Sequence, residues 1–297
     1  MTEKRKTILI TGATGNVGRQ VVKSLTNIVS ERDISIHIII ADRNVEQARK
    51  EFQNSHDLGY ILFDFSDPGT FEKSMINVDI MFLLRPPQIS EVDKYFRPFF
   101  DEAKSKGIRK IVFLSVQGAD KSKVIPHNKI ELLIKEYEFE YIFVRPSYFM
   151  QNLTTTLLNE IKTRSTITLP SGSAKFNWID ARDIGKCIAE LITSFDNYSN
   201  KEITITGEEN LDYSAVALYL SKELGREITF RSINPISFYF LKRKQGLSSG
   251  FAIVMTILHF LPRLQSEPEI TSNIKKITGK EPTKLKEFIE REKAQFM

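Results

Sequence analysis

The stretch Thr7-Ile8-Leu9-Ile10-Thr11-Gly12-Ala13-Thr14-Gly15-Asn16-Val17-Gly18 decides how the rest of the chain is read. Thr7 to Ile10 is a short apolar run of the kind that forms a buried strand, and Gly12 ends it. From Val17 to Val29 the apolar residues recur at helical spacing. Between strand and helix stand three glycines in the pattern G-x-x-G-x-x-G. Gly12 permits a tight turn, Gly15 lets a ligand come close to the backbone, and Gly18 allows the helix to pack tightly on the sheet. The first N–H groups of that helix, around Asn16 and Val17, then face outward with the positive end of the helix dipole behind them. A glycine triplet alone is a weak signal. Lying after the first strand and opening a helix, with Thr14 in the same turn, it fits the pyrophosphate of a dinucleotide. A mere glycine turn is the competing reading.

Working outward, the same alternation repeats. Ser35 to Ala41, Tyr60 to Phe63, Ile80 to Leu84, Lys110 to Leu114 and Tyr141 to Val144 read as further strands. Amphipathic segments such as Val45 to Phe52, Val92 to Ala103 and Lys129 to Lys135 separate them. Continuous apolar strands divided by helices predict a parallel sheet covered on both faces, and right-handed crossovers make it a doubly wound α/β fold of the Rossmann type. After Pro146 the alternation decays. Short strands are expected at Ile167–Leu169 and Ile203–Ile205, and helices at 213–224, 236–244, 249–261 and 283–293. The expected organisation is a dinucleotide-binding domain over 1–150. A smaller, mainly helical lobe on the substrate side follows over 151–297, with 176–206 returning to the main sheet.

The strand ends nominate the remaining cofactor contacts. Asp42 lies 24 residues beyond Gly18, where an acid binds the adenosine ribose hydroxyls of NAD; Arg43 beside it suits the 2′-phosphate of NADP. The two signals oppose each other, and a solvated strand end remains the bland alternative. Asp64 and Phe65, just past the third strand, would reach the adenine edge by position, although Asp64 could instead cap the turn into Pro68. Leu84, Arg85 and Pro86 close the fourth strand beside the expected path of the phosphates and nicotinamide ribose, where the prolines stiffen the loop.

Bulk properties narrow the classes. The 297 residues are 41% hydrophobic and 27% charged, a globular composition long enough to build its own core. The net charge of +5 is scattered, with the densest runs at Lys4-Arg5-Lys6 and Lys242-Arg243-Lys244, so no nucleic-acid partner is expected. Cys187 is the single cysteine, and the four histidines show no paired spacing, so no metal site is expected. The longest apolar run, Phe251 to Leu261, is short of the ~20 residues a spanning helix needs. With no signal peptide in view, the expectation is a cytoplasmic protein that does not engage membranes.

Several segments carry a resemblance: TGATGNVG at 11–18, FLLRPP at 82–87, PHNKIE at 126–131, RPSYFMQNL at 145–153, the stretch 206–230 and ITGKEPTKLKEFIE at 277–290. Together they resemble the NmrA-like branch of the atypical short-chain dehydrogenase/reductases. The resemblance implies a nicotinamide cofactor and either of two functions. One is an NAD(P)H-dependent oxidoreductase acting on a quinone-like or aromatic acceptor. The other is a catalytically silent NAD(P)-sensing regulator that acts through a protein partner. The matched arginine, Arg43, inclines the cofactor toward NADP(H) over NAD(H).

The catalytic residues are less defined. None of the nine tyrosines has a lysine four residues on, so the Tyr-x-x-x-Lys pair of many short-chain dehydrogenases is missing. Where the resembling reductases often carry a lysine, this chain has His127, which could supply a proton near neutral pH or cap the helix after Pro126. Ser115 ends the fifth strand at a position for a substrate- or nicotinamide-contacting hydroxyl, or serves only the turn. Pro146 should run past the nicotinamide, with Phe149 and Asn152 facing substrate, and the Tyr148 hydroxyl could reach the same cleft. Oligomeric state leaves no trace in the sequence.

Overall fold

The computed structural model describes residues 5–55 and 57–297; Lys4 of the first basic run and His56 lie outside the described residues. The chain divides into two compact units. The first runs to Pro146 and takes back Ala181–Ile205 and Asn273–Lys280; the second comprises Ser147–Asp180, Thr206–Ser272 and Glu281–Met297.

Twelve strands run along the described chain: β1 (Lys6–Thr11), β2 (Ile36–Asp42), β3 (Leu58–Leu62), β4 (Ile80–Leu84), β5 (Lys110–Leu114), β6 (Glu140–Pro146), β7 (Tyr148–Phe149), β8 (Thr166–Leu169), β9 (Phe176–Ile179), β10 (Lys201–Ile205), β11 (Asn210–Leu211) and β12 (Thr229–Ser232). Seven of them form the sheet of the first unit in the order β10-β6-β5-β4-β1-β2-β3, every pair parallel. Side chains alternate across a strand, yet Ile8, Leu9 and Ile10 are all fully buried, so both faces of the sheet are covered. Each such side chain contributes about 1.5–3 kcal/mol on burial. The strand order reverses between β1 and β4, the switch point at which sheets of this kind open a crevice at their carboxyl ends.

Helix Asn16–Arg32 follows β1 and packs closely on helix Ala181–Thr193, where a Cβ on Gly185 would lie 2.4 Å from Cβ of Gln20. On the β3 side of the sheet Phe63, Phe65, Phe71 and Phe99 pack ring on ring, with centroids 4.7–5.6 Å apart.

The second unit holds two small sheets, β11-β9-β7 and β12-β8, among helices that include Tyr213–Leu224, Pro235–Lys244, Ser249–Phe260 and Leu285–Arg291. Its core is aromatic, with Trp178, Tyr213, Phe238 and Phe288 fully buried. A Cβ on Gly207 would lie 1.6 Å from the carbonyl oxygen of Trp178, so only glycine fits there. The division departs from the expected one in its details. The units part at Pro146 rather than after residue 150. The returning segment starts at Ala181, because 176–179 form β9, which pairs with β7 and β11. The return of 273–280 had no counterpart in the sequence reading.

Candidate functional site

The glycine loop is pinned before it is shaped. Thr11, buried at the end of β1, donates its hydroxyl to the Phe82 carbonyl (3.1 Å) and accepts from the Leu84 N–H (2.9 Å), tying the loop to the adjacent end of β4. Gly12 follows in the left-handed region at φ +65°, a conformation an L side chain rarely adopts. Gly15 is the N-cap of helix Asn16–Arg32 and has no side chain to satisfy the first N–H groups. A Cβ on Gly18 would lie 2.1 Å from the Gly12 carbonyl oxygen, so the helix comes this close to the loop only without one. No acidic residue stands in the first turn, which leaves the positive helix end uncompensated. Gly15 and Asn16 are exposed; Val17 is buried and offers only its backbone.

Around this loop the first unit gathers the ends of β2 and β4. The Asp42 carboxylate accepts from Thr14 Oγ1 (2.8 Å) and from the Asn44 N–H (2.9 Å), while Arg43 is exposed. Arg85 curls into its own loop, with Nη1 donating to the carbonyls of Pro86 (3.0 Å), Pro87 (3.2 Å) and Ile89 (2.6 Å). Its Nε is buried and has no hydrogen-bond partner among the described residues. A buried donor left unpaired carries a cost of roughly 1–3 kcal/mol, which an anionic or hydroxylic ligand would remove. A helix amino end free of acids, a loop with no side chain in the way and an orphaned guanidinium donor fit a dinucleotide.

Asp64 and Phe65 lie just past the end of β3. Burial pushes the Asp64 carboxyl up, but hydrogen bonds from Ser66 Oγ (2.6 Å) and the Ser66 N–H (2.8 Å), together with Arg43, outweigh it and hold the group below its usual value. Asp64 thus shapes a turn of its own, and the cap at Pro68 is Asp67, which accepts from the Gly69 N–H (3.0 Å). The Phe65 ring lies in the phenylalanine cluster, so only its backbone could meet an adenine. Leu84 and Pro86 are half-buried at the end of β4 and beyond it, and the Pro146 carbonyl is engaged by the Gln117 N–H (2.9 Å).

The expected proton donors stand in surroundings that the sequence did not show. His127 sits in the first turn of helix Pro126–Glu136, beneath a helix end with no side-chain cap, its ring 6.1 Å from that of Phe113. Burial, reinforced by the nearby Arg85 cation, pulls its pKa down to about 3. At neutral pH it is an uncharged imidazole that can donate a hydrogen bond but carries no extra proton to give. The Ser115 hydroxyl is buried and donates to Glu131 Oε1 (2.5 Å). Glu131 in turn accepts a fork from Arg145, through Nε (2.9 Å) and Nη2 (2.6 Å), and Arg145 also pairs with Glu202 (2.8 Å). Ser115 is therefore part of a buried ionic network rather than a free hydroxyl.

Within the second unit, His259 lies on the inner face of helix Ser249–Phe260. Its Nδ1 donates to the Met255 carbonyl (2.7 Å), so its Nε2 accepts from the Tyr148 hydroxyl (2.8 Å), and Tyr148 accepts from Tyr213 (2.7 Å). Burial pulls His259 down to about 4 and pushes Tyr148 up, with the hydrogen bonds to Tyr213 and Asn152 opposing. The Tyr148 hydroxyl thus ends inside an aromatic cluster with Phe176, Trp178 and Tyr213, and Phe149 is half-buried beside it in sequence.

Sequence reasoning missed Glu131, Arg145, Tyr213 and His259, whose partners lie 14 to 111 residues away. It also missed Asn128, a buried residue of the first turn after Pro126. Its Oδ1 has no hydrogen-bond partner among the described residues.

The parallel sheet with its switch point and the glycine loop at β1 define the class, a Rossmann-fold protein. The chain belongs to the NmrA-like family, whose model matches residues 4–290. Prestalk A differentiation protein A of Dictyostelium discoideum is 31% identical over 97% of this chain and 93% of its own length. The NAD(P)H azoreductase of Xenophilus azovorans is 24% identical over 97% of this chain and 99% of its own. Among solved structures, triphenylmethane reductase of Citrobacter sp. has a TM-score of 0.83 at 19% identity, covering 98% of this chain and 100% of that one. Among the described residues, no helix is long and apolar enough to cross a membrane.

Proposed function

We propose that the protein is an NAD(P)H-dependent reductase of a small, quinone-like or aromatic acceptor. The observation that carries the reading is the glycine loop, with Gly12 in the left-handed region and Gly18 in van der Waals reach of the Gly12 carbonyl at the open end of a helix. Gly12, Gly15 and the N–H groups of Asn16 to Gly18 would hold the pyrophosphate, Asp42 and Arg43 the adenosine end, and Arg85 the path toward the nicotinamide. The bound nicotinamide supplies the hydride, so the protein's task is to hold the acceptor in place and exclude water. Arg43 supports NADP(H) over NAD(H), and the Asp42 carboxylate works against that preference.

What the donors lack supports this acceptor class. His127 is neutral, Ser115 is bound to Glu131, and the Tyr148 hydroxyl is bound to His259. A ketone reduced by hydride yields a strongly basic alkoxide that needs an acid at hand. A quinone yields a far less basic phenolate, which takes its proton from water, and a cationic dye yields a neutral product that needs no proton at all. The azoreductase among the relatives points the same way.

The test is oxidation of NADPH and NADH by the purified protein across quinones, azo and triarylmethane dyes and enones. Turnover with quinones or dyes, and little with enones, is the expected pattern. No acceptor-dependent oxidation would overturn the reading. The same shortage of a ready acid favours a second reading, a cofactor-sensing regulator, which would show affinity for a protein partner that changes with cofactor occupancy while turnover stays nil.

A further inference from the structure

We propose that Thr14 sets cofactor selectivity through Asp42, holding the Asp42 carboxylate in place against the 2′-phosphate that distinguishes NADP(H) from NAD(H). This rests on the dinucleotide reading of the glycine loop and deepens it.

Both oxygens of the carboxylate are anchored. Thr14 Oγ1, on the loop, donates to Oδ2 at 2.8 Å; the Asn44 backbone N–H, past the end of β2, donates to Oδ1 at 2.9 Å. A carboxylate held at both ends cannot rotate away from an approaching phosphate without breaking a hydrogen bond. Each oxygen keeps a free lone pair, so the anchored group still accepts from a ribose 2′- or 3′-hydroxyl. The anchor also fixes Thr14 itself. A hydroxyl has one proton, and this one points at Asp42, so the Thr14 hydroxyl offers a phosphate only lone pairs.

The neighbouring Arg43 is exposed, and its charge acts on Asp64 at the end of the next strand. The cation that would bind a 2′-phosphate therefore stands between two acids, one of them immobilised. With Asp42 fixed, Arg43 attracts the phosphate while a carboxylate that cannot retreat repels it. The result is a protein that uses both cofactors more evenly than Arg43 alone would allow. Were Asp42 freed to withdraw from about five to about seven ångströms from the phosphate at a surface dielectric, NADP(H) affinity would rise about fivefold while NAD(H) would change little.

The test is calorimetric titration of NADH and NADPH into four proteins: the native chain, Thr14→Val, Thr14→Ser and Asp42→Asn. Thr14→Val, which removes the anchor and keeps the shape, should raise the NADPH-to-NADH affinity ratio about fivefold. Thr14→Ser, which keeps the hydroxyl, should leave the ratio at its native value, and Asp42→Asn should exceed Thr14→Val. If Thr14→Val weakens or strengthens both cofactors in equal proportion, or if the serine variant behaves like the valine one, the selectivity role is wrong and Thr14 only shapes the loop. A native chain that binds neither cofactor overturns the dinucleotide reading itself, a separate outcome from an unchanged ratio.

Discussion

Replacing Arg145 by methionine removes one side of a buried ion pair and leaves the other in place. Glu131 is almost wholly buried, and in the native protein its two oxygens accept from the Arg145 fork at 2.9 and 2.6 Å and from Ser115 at 2.5 Å. In the variant only the serine remains, so a carboxylate stays out of water with one partner. Breaking a buried pair in this way costs about 3–5 kcal/mol, because the orphaned charge keeps its desolvation penalty without the attraction that offset it. Half-exposed Glu202 also loses its 2.8 Å contact, but solvent compensates that carboxylate. Urea unfolding at neutral pH, followed by fluorescence and far-ultraviolet circular dichroism together, is the assay, since the two units need not unfold in one step. The double variant Glu131→Gln/Arg145→Met should recover a large part of the loss, as the buried charge is gone. An Arg145→Met protein within 1 kcal/mol of the native chain would refute the reasoning and mean that water reaches Glu131.

Three further outcomes follow from the same geometry. Burial of neutral His127, with its pKa pulled to about 3, means the unfolded chain binds a proton that the folded one refuses. Its contribution is therefore complete above pH 6.5 and is lost as pH falls from there toward 3; His127→Gln should flatten the acid limb of a stability-against-pH curve, and an unaltered limb would contradict this. For the same reason kcat for quinone reduction should show no step near pH 6.5 that His127→Gln removes. Tyr148→Phe leaves His259 Nε2 without its donor inside the aromatic cluster, which should cost about 1–3 kcal/mol in thermal melts while turnover with a quinone persists. A thousandfold loss of turnover at native stability would instead make Tyr148 the proton donor.

The main sheet was legible because its signal is local. Runs such as Ile80 to Leu84 are apolar without interruption, and β10 could be anticipated from three residues, Ile203 to Ile205. The two-residue strands β7 and β11 are too short for any periodicity, and their existence depends on pairing with β9. Within the candidate site, the glycine loop was readable because backbone conformation is written into residue type. Burial was not. Position along β3 brought Phe65 to the strand end but could not tell that its ring turns into the phenylalanine cluster. The motif around His127 gives no hint that Arg85, 42 residues earlier, lowers its proton affinity. His259 was hidden by its surroundings, since one histidine in the apolar run 251–261 reads as helix core until its two ring nitrogens are traced to Met255 and Tyr148.

The most direct test is a titration of Gly15→Asp with NADPH, followed by the fluorescence of the reduced nicotinamide. The residue's φ of −78° and ψ of 172° suit aspartate, a preferred N-cap, while its Cβ would lie 3.3 Å from the Gly12 carbonyl oxygen; the cap offsets the small shift of the loop, so the helix should keep about its native stability. The added carboxylate would occupy the place and reverse the charge of the proposed phosphate site. Affinity should fall by more than about tenfold with no loss in thermal stability. A folded Gly15→Asp protein that binds NADPH as tightly as the native one would place the cofactor elsewhere and contradict the account.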